Sequence, residues 1–499
     1  MTEQPRHVQV AVIGAGLAGL GAAVQLKRRG LHSFTVFEKA GDLGGTWRDN
    51  TYPGAGCDIP SHLYSYSFAP YRDSAVRYPR QPEVLAYLRR CADDHGLVPH
   101  LRYGTEITAL RYDDAAGHWI LGTADGTEHT ADAVVTAVGQ LSLPRYPDLP
   151  GLDEFAGTAF HTARWDHDHD LDGRDVAVIG TGSSAAQVVP EIAGRVRRLY
   201  VHQRSPNWVL PKPGERFHPL LSALLRTVPG AHGAYRGLLF RRSEAVLLPA
   251  LRRGRAAALL AFMARRHLAG QVPDPELRAR LTPPFAIGCK RIVLSSEYFP
   301  ALARDNVELV TDPIARVTEK GIETRDGTLR EVDTIIHATG FRTTEFLAPM
   351  EVSGSGGQRL DEVWRHGARA HLGIHVPGFP NLFLMYGPNT NLGHNSVTLT
   401  IEAQSDYVAQ CVQLLSGHAE RGERVVLDAR EEALTAWQRR IDEGAARTVW
   451  TDDCTNWFKN ADGTLTNNWP YKTALYRRLT ARPDPAALRL LPAGRLPAR

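Results

Sequence analysis

Residues 155–185 read FAGTAFHTARWDHDHDLDGRDVAVIGTGSSA, and the second half of this stretch decides the fold. Val176–Ile179 is a short apolar strand that stops at a glycine turn, Gly180-x-Gly182-x-x-Ala185, with Ser183 opening the helix that should follow. Strand, tight turn and helix N-terminus in that order form a dinucleotide-binding arrangement, because glycine lets backbone N–H groups come close to a pyrophosphate at the positive helix end.

The same arrangement occurs once more, near the start of the chain. The strand VQVAVI (8–13) runs into Gly14-x-Gly16-x-x-Gly19 and an alanine-rich helix, and a second strand, SFTVFE, ends in Glu38. An acid at that strand end can accept both hydrogen bonds of a ribose diol. The two copies differ informatively: the residue 24 positions after Gly14 is Glu38, whereas the residue 24 positions after Gly180 is Arg204. A carboxylate repels a 2′-phosphate and an arginine binds one through charge-assisted hydrogen bonds. The second site is therefore expected to prefer NADPH to NADH. The fold expected is α/β, with two Rossmann-like, doubly wound dinucleotide-binding units.

The rest of the chain is organised around these units. The 499 residues, 43% hydrophobic and 22% charged, are too many for one core and too ordinary in composition for disorder. The net charge of +4 makes no general case for nucleic acid. Five scattered cysteines give neither a metal spacing nor a C-x-x-C pair, so no metal site and no dithiol redox centre is expected. No export signal and no run long enough to span a membrane is visible, which points to the cytoplasm. Residues 83–96 read as a helix and 100–135 as a β-meander, and the proline-rich SLPRYPDLPG (142–151) reads as a boundary. Residues 214–280, rich in Leu, Ala and Arg, leave three readings: a packed helical insertion, a membrane-surface helix, or a basic partner site, of which the first is the commoner. The proline- and arginine-rich end, 481–499, reads as a loose tail.

The first half of the opening stretch sets Phe155, Gly157, His161, Trp165 and Asp166 at the spacing F-x-G-x-x-x-H-x-x-x-W-[PD]. That spacing has no general physical derivation, but it resembles the fingerprint of the type I Baeyer–Villiger monooxygenases. The resemblance runs from Gly14 to about Trp469 and implies specific roles. The first site would hold FAD, with the glycine- and aromatic-rich segment 43–68, including Thr46 and Trp47, walling the flavin and Asp58 close to it. Lys290-Arg291, ahead of Asp305-Asn306-Val307, matches a pair in which the lysine meets the NADPH phosphate and the arginine meets the flavin peroxide and nicotinamide. Ala338-Thr339-Gly340-Phe341 resembles the return from the NADPH unit to the FAD unit. Asn395 and Ser396 would sit at a helix N-terminus facing the flavin pyrimidine, and Trp457 would belong to a loop over the cofactor. The implied division is 1–145 and 336–499 for FAD, and 146–335 for NADPH with the insertion at about 214–280.

The activity implied is insertion of one oxygen atom of O2 beside a ketone carbonyl, giving an ester or lactone through a flavin C4a-peroxide. An always-charged arginine suits this, since it stabilises a developing anion. Arg291 and Asp58 are the catalytic candidates, and His161 is read as a linker contact rather than a proton carrier. Three alternatives use the same motifs: a flavin-dependent S- or N-oxygenase, a flavin reductase feeding a partner protein, and a flavin-binding protein with a vestigial site. A monomer or loose homodimer is expected. The chain departs from the family in being short and in its CTNWFKNADGTLTNNW ending.

Overall fold

The computed structural model describes residues 7–71 and 75–494. Strand His7–Ile13 is buried along nearly its whole length because it lies inside a mixed eight-stranded sheet, with Phe34–Phe37 parallel on one side and Glu128–Thr136 parallel on the other. Outside Glu128–Thr136 come the antiparallel strands His118–Thr123 and Ile107–Asp113, so the expected meander forms. The last third of the chain returns to this sheet twice. Leu382–Leu384 pairs with the end of Glu128–Thr136, along the edge that His118–Thr123 leaves open, and Glu351–Ser353 pairs with Ile107–Asp113.

The second sheet has five strands, all parallel, in the order Val307–Val310, Arg198–His202, Asp175–Ile179, Thr334–His337, Thr158–His161. Strands Asp175–Ile179 and Thr334–His337 are buried at every position but Asp175, as strands covered on both faces must be. The repeat seen in the sequence is also a repeat of hydrogen bonds. Gly14 N–H donates to the Phe37 carbonyl at 2.7 Å, and Gly180 N–H donates to the His202 carbonyl at 3.1 Å. Each first helix, Leu17–Arg28 and Ser183–Ile192, is rich in small residues and packs closely. At Gly21 a Cβ would come within 3.1 Å of Ser405 Oγ and 3.2 Å of the Tyr66 ring, so glycine there lets the long helix Val397–Ala419 pack close without displacing either neighbour.

The insertion is helical: Pro219–Thr227, Ala231–Arg242, a π-turn at Ser243–Leu247, Arg255–Gln271 and Pro275–Arg280. Proline at the first helical position and the Asp274 carboxylate accepting from Glu276 and Leu277 N–H start the last of these. Among the described residues no helix is long and apolar enough to cross a membrane.

One feature was not anticipated and one expectation is corrected. Cys289 and Cys454, 165 residues apart, form a disulfide, whereas Cys57, Cys91 and Cys411 are free and buried. A pair with no local spacing is invisible to a motif search because only the fold brings its two loops together. The end of the chain is not a loose tail: Leu488–Pro492 pairs antiparallel with Val425–Ala429. The short alternation LRLLP is hidden in the sequence by the prolines and arginines around it. Residues 495–499 of the expected tail lie outside the described residues.

Candidate active site

The first glycine turn is built for close approach. At Gly14 (φ +104°) a Cβ would lie 2.6 Å from the Ala137 carbonyl oxygen, and at Gly19 a Cβ would collide with the Gly14 carbonyl. Across from the turn runs Gly44–Gly45. A Cβ on Gly45 would sit 3.2 Å from the Gly16 Cα, so two glycine backbones line a slot that any side chain would fill. Glu38, buried at the end of its strand, accepts from Ala15 N–H at 2.9 Å, Ala40 N–H at 3.0 Å and Arg48 Nη1 at 2.9 Å. A carboxylate has about four lone-pair sites, so acceptor capacity remains for a ribose diol. This slot, backed by a fixed acid, fits the diphosphate and ribose of FAD. Thr46 and Trp47 follow it in a one-turn helix, and Trp47 Nε1 donates to Tyr64 Oη at 3.0 Å.

The second turn repeats the geometry with different surroundings. A Cβ on Gly180 (φ +119°) would lie 2.4 Å from the Ala338 carbonyl oxygen, while in front of Gly182, at the N-terminus beginning with Ser183, there is open space. Arg204 is exposed and has no carboxylate partner among the described residues. Lys290 Nζ donates to Ser205 Oγ and lies 4.8 Å from the Phe285 ring centroid. Burial, and then repulsion from nearby Arg204, lower the Lys290 pKa. Two adjacent cations with no acid between them fit the charge of a 2′-phosphate.

The two units meet at Asp58 and Arg291. Arg291 Nη2 donates to both carboxylate oxygens of Asp58, at 2.8 and 2.7 Å. The Asp58 carboxylate raises the Arg291 pKa against the opposing effect of burial. The Arg291 side chain remains 36% exposed, so one edge of the guanidinium is fixed while Nε and Nη1 are open to a ligand. The segment carrying Asp58 is anchored on the other unit: Tyr52 Oη donates to Gln187 Oε1 at 2.8 Å, and Gln187 Nε2 donates to the Gly56 carbonyl at 3.0 Å.

The structure also supplies a physical reason for the fingerprint. A Cβ on Gly157 would lie 2.5 Å from both the Asp333 carbonyl oxygen and the Phe155 ring, so glycine there lets Phe155 fold over its own strand. His161 Nδ1 accepts from Ala163 N–H at 3.0 Å, which leaves the proton on Nε2 to donate to the Gly340 carbonyl at 3.0 Å. Burial lowers the His161 pKa to about 4, so the ring is neutral near pH 7. Gly340 belongs to the ATGF segment, and Arg145 N–H, from the first linker, donates to the same carbonyl at 2.9 Å. His161 thus ties the crossing point of the two linkers. Trp165 packs edge-on against Phe160 at 5.0 Å, and Asp166 Oδ1 accepts from Asp168 N–H at 3.1 Å.

A sequence profile described as flavin-binding monooxygenase-like matches residues 7–228. A Baeyer–Villiger monooxygenase of Streptomyces coelicolor is 45% identical over 486 residues, covering 97% of this chain and 93% of its own. The chain belongs to the Baeyer–Villiger monooxygenases. Among solved structures, cyclohexanone monooxygenase from Rhodococcus sp. Phi1 bound to NADP+ superposes with a TM-score of 0.86 at 29% identity, covering 98% of this chain and all of that one. A complex of OTEMO with FAD and NADP gives 0.85 at 26% identity, covering 97% of this chain and 99% of that one.

In this monooxygenase the helix Val397–Ala419 starts where expected, with Ser396 Oγ accepting from Thr398 N–H at 3.4 Å. Asn395 Nδ2 donates to Glu244 Oε1 at 3.2 Å, and His394 Nε2 is 2.9 Å from the same oxygen. Glu244 comes from the π-turn of the insertion, and sequence reading missed it. A π-turn adds one residue to a helical turn and so redirects a side chain, a shift that helical spacing does not reveal. Burial pushes the Glu244 carboxyl up, but the hydrogen bonds from His394 and Thr473 outweigh it and hold its pKa at about 2. Glu244→Gln is expected to lower stability by about 1–3 kcal/mol at pH 7. Because the folded pKa lies below the usual value of 4.5, the stabilisation is full above that value and is lost as pH falls toward about 2. Thermal melts of the two proteins should therefore converge as acid is added; a gap independent of pH would show that the charge is not responsible.

Trp457 is partly exposed, with its ring 4.4 Å from Phe458 and its carbonyl accepting from Thr343 Oγ1 at 2.8 Å. Trp469 is buried and stacked on Trp437 at 5.2 Å. Of these two tryptophans, only Trp457 is open to a ligand. Tyr386, also missed, is close enough to Arg291 for the two to shift each other's pKa. It donates to Asn391 Oδ1 at 2.6 Å. Its φ of +56° places it in a left-handed conformation that the sequence does not signal.

Proposed function

We propose that the enzyme uses FAD and NADPH to convert a ketone into an ester or lactone, with Arg291 as the residue that stabilises the developing anion. In this reading 1–145 and 336–499 hold FAD, and 146–335 hold NADPH. When bound, FAD reduced by NADPH supplies the activated oxygen that is inserted beside the carbonyl. Arg291 presents a permanent positive charge at the junction of the two units, and Asp58 fixes the orientation of that charge without removing it. The open edge of Arg291 donates hydrogen bonds to an anionic oxygen or to the polarised carbonyl. Arg204 and Lys290 hold the 2′-phosphate, Trp457 covers the cofactor, and Asn395 with Ser396 presents the helix N-terminus to the pyrimidine end of the flavin. A cytoplasmic monomer or loose dimer agrees with this reading.

The observation that carries the proposal is the Asp58–Arg291 pair joining the FAD segment to the NADPH unit. It is tested by product analysis after NADPH turnover with cyclic, aryl and linear ketones and one aryl thioether. Esters or lactones are expected. Sulfoxide alone would assign the site to heteroatom oxygenation instead. Arg204→Ala is expected to weaken NADPH by about 10- to 100-fold, in line with the loss of a charge-assisted contact, while NADH changes little. Steady-state KM values for both cofactors check this, and equal weakening of the two would remove the basis for NADPH preference.

A further inference from the structure

We propose that the helical insertion is a docking surface for anionic phospholipid bilayers, with helix Arg255–Gln271 at its centre. Between residues 216 and 273 the chain has ten arginines, no lysine and a single acid, Glu244, and that acid is buried against His394. The segment therefore carries +9, which within a total of +4 leaves −5 for everything else. The small net charge of the whole chain conceals this separation. Of the ten arginines, Arg236 and Arg253 are the two with ion-pair partners among the described residues.

Apolar side chains are exposed on the same helices. Leu260, Ala264 and Leu268 form the buried face of Arg255–Gln271. Leu259 and Phe262, each 60% exposed, and Met263, 45% exposed, form the opposite face. Helical spacing places Arg255 and Arg266 at the two ends of that stripe. Helix Pro219–Thr227 exposes Leu220 and Leu224 one turn apart, and Leu238 is exposed on the next helix. Half of the exposed large apolar side chains among the described residues lie between 220 and 263, less than a tenth of the chain.

Charge and apolar surface together select the partner. A second copy would set +9 against +9. An acidic protein or a nucleic acid would satisfy the arginines but leave Leu259, Phe262 and Met263 in water. An anionic bilayer takes both: guanidinium groups settle among phosphates, while the leucine, phenylalanine and methionine side chains enter the acyl boundary. Among the described residues no helix is long and apolar enough to cross a membrane, so the contact proposed is interfacial.

The test is cosedimentation of the FAD-bound enzyme with phosphatidylcholine vesicles, with and without phosphatidylglycerol. Two variants accompany it, Leu259→Ser/Phe262→Ser/Met263→Ser and Arg255→Gln/Arg266→Gln, both checked for retained flavin absorbance. Binding to the anionic vesicles alone is expected. The apolar variant should reduce it by at least about tenfold, given the free energy of burying each methylene, and the arginine variant should weaken it and leave what remains less dependent on salt. Failure of the wild-type enzyme to bind anionic vesicles overturns the proposal. Binding that the apolar variant leaves intact overturns it too, as does a wild-type dimer that the apolar variant dissociates in sedimentation velocity.

Discussion

Replacing Arg291 with alanine is expected to lower ester formation by at least about 100-fold, the scale measured when one preorganised anion-stabilising donor is removed, while the protein still purifies with FAD. The separation of the two effects follows from where the side chain sits. Its Nη2 is held on both oxygens of Asp58 and its other nitrogens are open, so the residue presents charge without building the FAD slot. That slot is made by Gly14–Gly19, Gly44–Gly45 and Glu38, none of which touches Arg291. Arg291→Lys keeps a cation but loses the fork that pairs with a carboxylate, and should recover only part of the activity. Asp58→Asn should leave Arg291 charged but less well oriented, with an intermediate loss. Full ester yield from the alanine variant would remove Arg291 from the chemistry. Loss of FAD from that variant would instead make it a structural residue.

The second large effect is expected at the paired glycine turns. Gly14→Ala would place a methyl group 2.6 Å from a backbone carbonyl oxygen, and Gly180→Ala would place one 2.4 Å from the equivalent oxygen of the other repeat. Both residues also have a φ that L-residues rarely adopt. Neither contact can be relieved by a rotamer change, because the obstacle is the main chain. A cost of about 2–4 kcal/mol each is expected from overpacking and backbone strain together. The readouts should separate the repeats: Gly14→Ala should lose bound FAD, whereas Gly180→Ala should keep FAD and its visible absorbance but reduce slowly with NADPH. Loss of FAD from both variants would mean that the two turns are not independent sites.

The parts of the molecule that repeat or obey a period were legible in the sequence. The two glycine turns, the acid at Glu38 and the arginine at its counterpart position all follow from local rules about φ and charge. What was not legible depends on contacts between distant segments. The need for glycine at 157 comes from the Asp333 carbonyl, far along the chain. Glu244 reaches His394 because a π-turn redirects it, and the strand Leu488–Pro492 exists because Val425–Ala429 offers it an edge. The fingerprint was recognised by resemblance before its physical basis was visible. That basis is a glycine clearance at one end and a neutral imidazole clasping Gly340 at the other.

The disulfide limits how far the loop carrying Trp457 can travel. Cys289 directly precedes Lys290 and Arg291, and Cys454 is three residues before Trp457. A fully extended chain spans at most about 3.6 Å per residue, so the Trp457 Cα stays within roughly 11 Å of its anchor whatever the rest of the loop does. The loop is leashed to the same short segment that carries Lys290 and Arg291, the residues proposed to bind the phosphate and to act in catalysis. Any excursion must pivot about that post and be widest toward Asp462 and Gly463. Cutting the leash with a thiol reductant removes this covalent limit and leaves the hydrogen bonds from Thr343 and Asn467 to the Trp457 carbonyl and from Asn456 to the Cys289 carbonyl to hold the loop.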